Sequence, residues 1–157
     1  MSSPEALAAT VLQNVGWNGS LPINPKAIAE CYGIAVKSEV SLMGGTNSGR
    51  GFKLGDGKVM IIVNPADSKA RQNFTIAHEL GHAFLHGCGI HDRSTDRVEV
   101  YKQKEAQANA FAAALLMPES PVRNAVELGK NLPELAELFQ VSQTAMYVRL
   151  NHLGILS

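Results

Sequence analysis

The run Phe74-Thr75-Ile76-Ala77-His78-Glu79-Leu80-Gly81-His82-Ala83-Phe84-Leu85-His86 constrains this chain more than any other stretch. Phe74, Ala77, Leu80, Gly81 and Phe84 recur at helical spacing, which predicts an amphipathic helix. Asp67 or Ser68, just after Pro65, supplies an N-cap, and Gly87 supplies a stop. On such a helix His78 and His82 share a face, so both imidazoles can point at one metal ion. Glu79 is rotated to the side, where it can reach a water on that metal rather than the metal itself. Polar groups set into an apolar helix are costly to bury without partners. A divalent metal is the simplest partner for two imidazoles and a carboxylate together. The pattern His-Glu-x-x-His therefore points to Zn²⁺ held by His78 and His82, with Glu79 as the general base of a peptidase.

Two histidines leave a catalytic zinc site incomplete, because such sites use three protein ligands and an open position. The extended motif of the metzincins needs Gly and His where this chain has Leu85 and Cys88, so that class is excluded. His86 continues the stripe, but three imidazoles along one helix face span about 12 Å at ~1.5 Å rise per residue. That is too long for one ion with bonds of about 2 Å. His86 is instead a helix-end residue placed to support a ligand. The next helical stretch, Lys104 to Met117 with Pro118 beyond its end, packs through Ala108, Phe111, Ala112 and Leu115. Glu105 and Asn109 lie one turn apart on one stripe. Glu105 is the best candidate for the third ligand, and Asn109 can hydrogen-bond a neighbouring imidazole to orient it. The competing reading is an exposed glutamate at a helix start. The alanines around it argue for close helix packing and favour the ligand.

The rest of the chain reads as one domain over 1–157. Residues 1–33 form N-terminal helices, 34–64 a sheet, 65–118 the metal-binding helices and 119–157 C-terminal helices. Leu7, Val11 and Val15 mark the first helix, and Pro25 opens a second that runs to Gly33. Cys31 is expected to be a small buried apolar residue. Strands are predicted at Ile34–Val40, Phe52–Leu54 and Val59–Val63, the last being apolar throughout and so central. Gly55-Asp56-Gly57 signals a hairpin between the last two. An edge strand beside the site could take an extended peptide by strand addition. A polar connection occupies 87–98, and His91 within it is expected at the surface. Tyr101, one turn before Glu105, could stabilise an oxyanion but is expected to be packed.

Composition excludes several alternatives. The 157 residues carry a formal net charge of zero, so no global field attracts nucleic acid or an anionic membrane. The N-terminus lacks the basic and apolar regions of a signal peptide, and no apolar run could span a bilayer. Cys31 and Cys88 are the only cysteines and lack motif spacing, which suggests a reducing, cytoplasmic setting. Pro133–Phe139, Gln140-Val141-Ser142 and Gln143–Leu153 outline a helix-turn-helix, with Ala136, Leu138, Val141, Ala145, Val148 and Leu150 as core. Gln143, Arg149, Asn151 and His152 face a DNA reader's role, but Arg149 is the only fixed charge among them. Packing, or docking of a protein substrate, is favoured over nucleic acid.

Several stretches together resemble a known family. They are Phe74 to His82, Glu105 to Ala113 with Leu115-Leu116-Met117-Pro118, and the flanking Leu21-Pro22-Ile23-Asn24-Pro25, Tyr32-Gly33-Ile34 and Phe139 to Gly154. Over nearly its whole length the chain resembles the ImmA/IrrE metallopeptidases. The resemblance implies a gluzincin-like fold and a cytoplasmic site with His78, His82 and Glu105 on zinc and Glu79 as acid/base. It also implies an anti-repressor that cuts a helix-turn-helix repressor encoded beside it, other relatives belonging to toxin–antitoxin pairs. The expected architecture is α+β: a small antiparallel three-stranded sheet packed on a mainly helical zincin-like core, with a C-terminal helix-turn-helix-like segment. Two alternatives compete. One is a zinc fold that binds and sequesters a repressor or antitoxin without cutting it, which would not need Glu79. The other is a DNA-binding regulator, which the neutral charge disfavours.

Overall fold

Side-chain caps set the helix starts. Ser3, Asn24, Ser68, Asn131 and Ser142 each accept a hydrogen bond from the backbone N–H three residues on. The computed structural model describes residues 3–38, 49–53, 58–87 and 98–156. Within them the elements run α1 (Pro4–Asn14), α2 (Pro25–Cys31), β1 (Ala35–Ser38), β2 (Gly49–Lys53), β3 (Val59–Val63), α3 (Lys69–Leu85), α4 (Val98–Leu116), α5 (Glu119–Glu127), α6 (Leu132–Phe139) and α7 (Gln143–His152). None of these helices is long and apolar enough to cross a membrane. The Gly55-Asp56-Gly57 turn, most of the preceding glycine-rich stretch, Cys88 and His91 lie outside the described residues.

The expected α+β chain with an antiparallel three-stranded sheet is not what forms. The described chain is mostly helical, with seven helices, and β1 runs parallel to β3 (Ala35↔Met60 to Ser38↔Val63). Only β2 pairs antiparallel with β3 (Gly49↔Val63 to Lys53↔Val59), which gives the order β1-β3-β2. β3 takes the middle because Ile61, Ile62 and Val63 are buried. An apolar run of this kind suits a strand covered on both faces, and such a strand can accept a parallel neighbour.

The sheet packs on α3, and α3 packs on α4. A glycine makes the second contact close. A Cβ on Gly81 would lie 3.1 Å from both the Ala108 Cα and the Phe111 Cδ1. Ala108, Phe111, Ala112 and Leu115 are fully buried, and α1 covers α4 through Ala8, Val11 and Leu12.

Three further expectations are corrected. Cys31 is exposed at the last position of the two-turn α2, beyond its buried residues Pro25, Ile28 and Ala29. Helix α4 begins at Val98, six residues before the predicted start at Lys104. Val148 is 59% exposed beside the exposed Tyr147, while Met146, Arg149 and Leu150 turn inward. Arg149 is therefore not on a DNA-reading face. Its Nε donates to the Met117 carbonyl at 2.9 Å, and its terminal nitrogens donate to both Glu5 carboxylate oxygens.

Candidate metal centre

Burying a polar side chain needs a reason. Among the described residues four polar side chains are buried: Asn73, Glu79, His82 and Arg149. Two of these four belong to the His-Glu-x-x-His segment of α3. His78, Glu79 and His82 bring potential ligand atoms within 4.8 Å of one another. His78 and His82 follow each other by one helical turn, their ring centroids 4.7 Å apart.

The facing helix supplies a second carboxylate. Glu105 Oε2 lies 2.5 Å from His82 Nε2 and 3.2 Å from His78 Nε2. Two imidazole nitrogens and one carboxylate oxygen thus converge on a single point. Donors bound to one tetrahedral ion at about 2.0–2.1 Å stand roughly 3.3 Å from each other. The 3.2 Å pair already has that spacing, and the 2.5 Å pair would open by less than an ångström. The donor set, two imidazoles and a carboxylate, suits zinc. Glu105 reaches both rings from the facing helix, whereas Glu79 is buried on α3 itself, next to His78.

Each of the three convergent groups is also held from behind. His78 Nδ1 is 2.8 Å from Asn109 Oδ1. His82 Nδ1 is 3.0 Å from His86 Nδ1, and His86 Nε2 is 2.8 Å from Gln107 Oε1. The Tyr101 hydroxyl donates to Glu105 Oε1 at 3.3 Å, leaving Oε2 to face the rings. His78 thus meets both Asn109 and Glu105 of α4, and His82 meets Glu105. Gln107 escapes the sequence reading, whereas Tyr101 is singled out there but expected to be packed. Tyr101 is partly exposed rather than packed, and its place one turn before Glu105 was the only available signal. Gln107 lies off the Glu105–Asn109 stripe, and no spacing rule points to it.

The family of the IrrE N-terminal-like domain matches residues 29–151, which contain every residue of this cluster. The chain belongs to the ImmA/IrrE metallopeptidase family. It is similar to the radiation response metalloprotease IrrE of Deinococcus radiodurans, 39% identical over 99 residues, or 56% of this chain and 30% of that protein. The IrrE of Deinococcus deserti is 36% identical over 96 residues, or 55% of this chain and 34% of that protein. The chain therefore spans about a third of the length of these curated relatives. A solved Mycobacterium tuberculosis transcriptional regulator shares the fold with a TM-score of 0.67 at 22% identity, over 94% of this chain and 46% of that one. Membership in a metallopeptidase family implies a divalent metal, and the convergent donors supply a place for it.

Proposed function

We propose that this chain is a zinc-dependent endopeptidase in which His78, His82 and Glu105 hold the metal and Glu79 is the general acid/base. The observation that carries the reading is the convergence of His78 Nε2, His82 Nε2 and Glu105 Oε2, each group being tied at its other polar atom. Zinc bound there would acidify a water molecule and polarise a peptide carbonyl. Glu79 takes the proton from the attacking water and delivers it to the leaving amine. Glu79 lies between the two histidines in the sequence, with a carboxylate oxygen within 4.8 Å of a ring nitrogen of each, close enough to reach a water on the metal. Asn109, His86 and Tyr101 keep the donors aimed at one point. β2 ends the strand order and packs against α3, so an extended peptide added along it would pass beside the cluster.

The substrate we propose is a helix-turn-helix repressor encoded beside this gene, cut in the cytoplasm so that the chain acts as an anti-repressor. Family membership and the exposed free thiol of Cys31 support that setting. The test co-expresses the repressor with the wild-type chain or with Glu79→Gln. Repressor fragments with wild type alone support the peptidase. Equal relief of repression by both proteins without fragments would replace it with the sequestering module.

A further inference from the structure

His86 adds no donor to the convergent trio, yet its ring is tied on both sides: Nδ1 to His82 Nδ1 at 3.0 Å and Nε2 to Gln107 Oε1 at 2.8 Å. Two ring nitrogens can share a hydrogen bond only if one donates and the other accepts. His82 turns its Nε2 toward Glu105 and His78. With the Nε2 lone pair given to a metal, the proton of that ring must sit on Nδ1. His82 Nδ1–H then donates and His86 Nδ1 accepts. His86 must in turn carry its proton on Nε2, and its partner there, Gln107 Oε1, is an acceptor. The sequence His82 to His86 to Gln107 therefore works in one direction only, the direction that leaves Nε2 of His82 open to a metal.

We infer that His86 is a positioning residue for metal binding, accepting the Nδ1–H of His82 and held in the required tautomer by Gln107. The inference rests on the proposed role of His82 as a ligand. Imidazole ligands commonly donate their other N–H to a carboxylate or a backbone carbonyl. Here the acceptor is a second imidazole anchored by a side-chain amide, and His78 is backed by the amide of Asn109.

Three substitutions separate acceptor placement from packing. In His86→Asn, Oδ1 occupies the place of Nδ1 and can accept from His82. In His86→Gln, the amide reaches instead to the place of Nε2. His86→Phe keeps the ring and removes both nitrogens. Zinc affinity is measured by competition with a chromophoric chelator, and Co²⁺ absorption reports the geometry of the bound ion. Thermal melting of the metal-free proteins checks the fold. His86→Phe and His86→Gln should lose about 10–100-fold in zinc affinity, the range for groups that orient a ligand. His86→Asn should recover most of that loss. Equal affinity in all four proteins would overturn the role of His86 and leave the zinc site standing. Equal weakness of the Asn and Gln variants would assign the effect to packing and also overturn it, even if His86→Phe fails to fold. A wild-type chain that binds no zinc would overturn the site and the inference together.

Discussion

An imidazole can bind a metal only through a nitrogen that carries a free lone pair, so its proton must be kept on the other nitrogen. In this chain Asn109 and His86 stand at the Nδ1 atoms of His78 and His82, and that arrangement sets what each substitution should do. His78→Ala or Glu105→Ala removes one of three donors, and zinc content should fall from about one ion per chain to well below that, as read by atomic absorption after gel filtration. Full occupancy in Glu105→Ala would remove that residue from the ligand set. Glu79→Gln leaves all three donors, so it should keep its zinc. It loses only proton transfer, and peptide hydrolysis should drop by about 10²–10⁴-fold. Loss of metal in Glu79→Gln would instead make Glu79 a ligand. The placement of His78, Glu79 and His82 is legible in the sequence because one helix fixes it: residues four apart must share a face. Glu105 and Asn109 are legible for the same reason, once a second helix is supposed to pack on the first. Tyr101 is legible in the same way, one turn before Glu105 on one helix, whereas Gln107 is not, because what it touches depends on the register between two helices, which no local pattern encodes.

That register is set at the level of elements. Gly81 has no side chain where α3 meets Ala108 and Phe111, so the helices approach closely enough for Glu105 to touch both rings. In Gly81→Ala two effects oppose one another. The helix gains up to ~1 kcal/mol of intrinsic propensity, while overpacking costs about 1–3 kcal/mol. Stability should therefore change modestly, by about 1 kcal/mol of loss on balance. Metal affinity is the sharper readout, since any retreat of α4 carries Glu105 and Asn109 away from α3. Zinc binding should weaken in Gly81→Ala more than stability does. Unchanged affinity, measured by chelator competition, would show that this close approach does not govern the site. The sheet is where reading by elements goes wrong. Gly55-Asp56-Gly57 is a local signal that points to the β2–β3 pairing, and that antiparallel pairing is present. The β1–β3 pairing has no such signal. A parallel neighbour is chosen by which strand is buried most deeply, and Ile61 to Val63 draw β1 to the far side of β3. Strands consecutive in sequence need not be neighbours in space.

At the scale of the whole molecule, Arg149 joins parts of the chain that the sequence gives no reason to connect. It lies 144 residues from Glu5, and its only visible property in the sequence is to be the one fixed cation on the last helix. That property suggests a contact with phosphate. Burial gives it a different task. Its Nε satisfies the Met117 carbonyl, an acceptor just beyond the last turn of α4 that would otherwise have no helical partner. Its other nitrogens pair with Glu5 near the start of α1. One guanidinium thus ties α7 to α1 and to the end of the helix that carries Glu105 and Asn109. The two tasks predict opposite results for Arg149→Met, which keeps the apolar stem and removes the charge. A residue that clamps the fold should be missed in stability. A hydrogen bond to a charged group contributes about 1.5–3 kcal/mol, so the urea midpoint should fall by an amount in that range once converted through the m-value. The Glu5 side chain is 44% exposed and can be rehydrated, which places the loss in the lower half of that range. Binding to duplex DNA should be weak, sequence-independent and the same in both proteins, because no other fixed cation stands on α7. A DNA-reading arginine would give the reverse: unchanged stability, and a sequence-specific nanomolar complex at physiological salt that is lost in Arg149→Met.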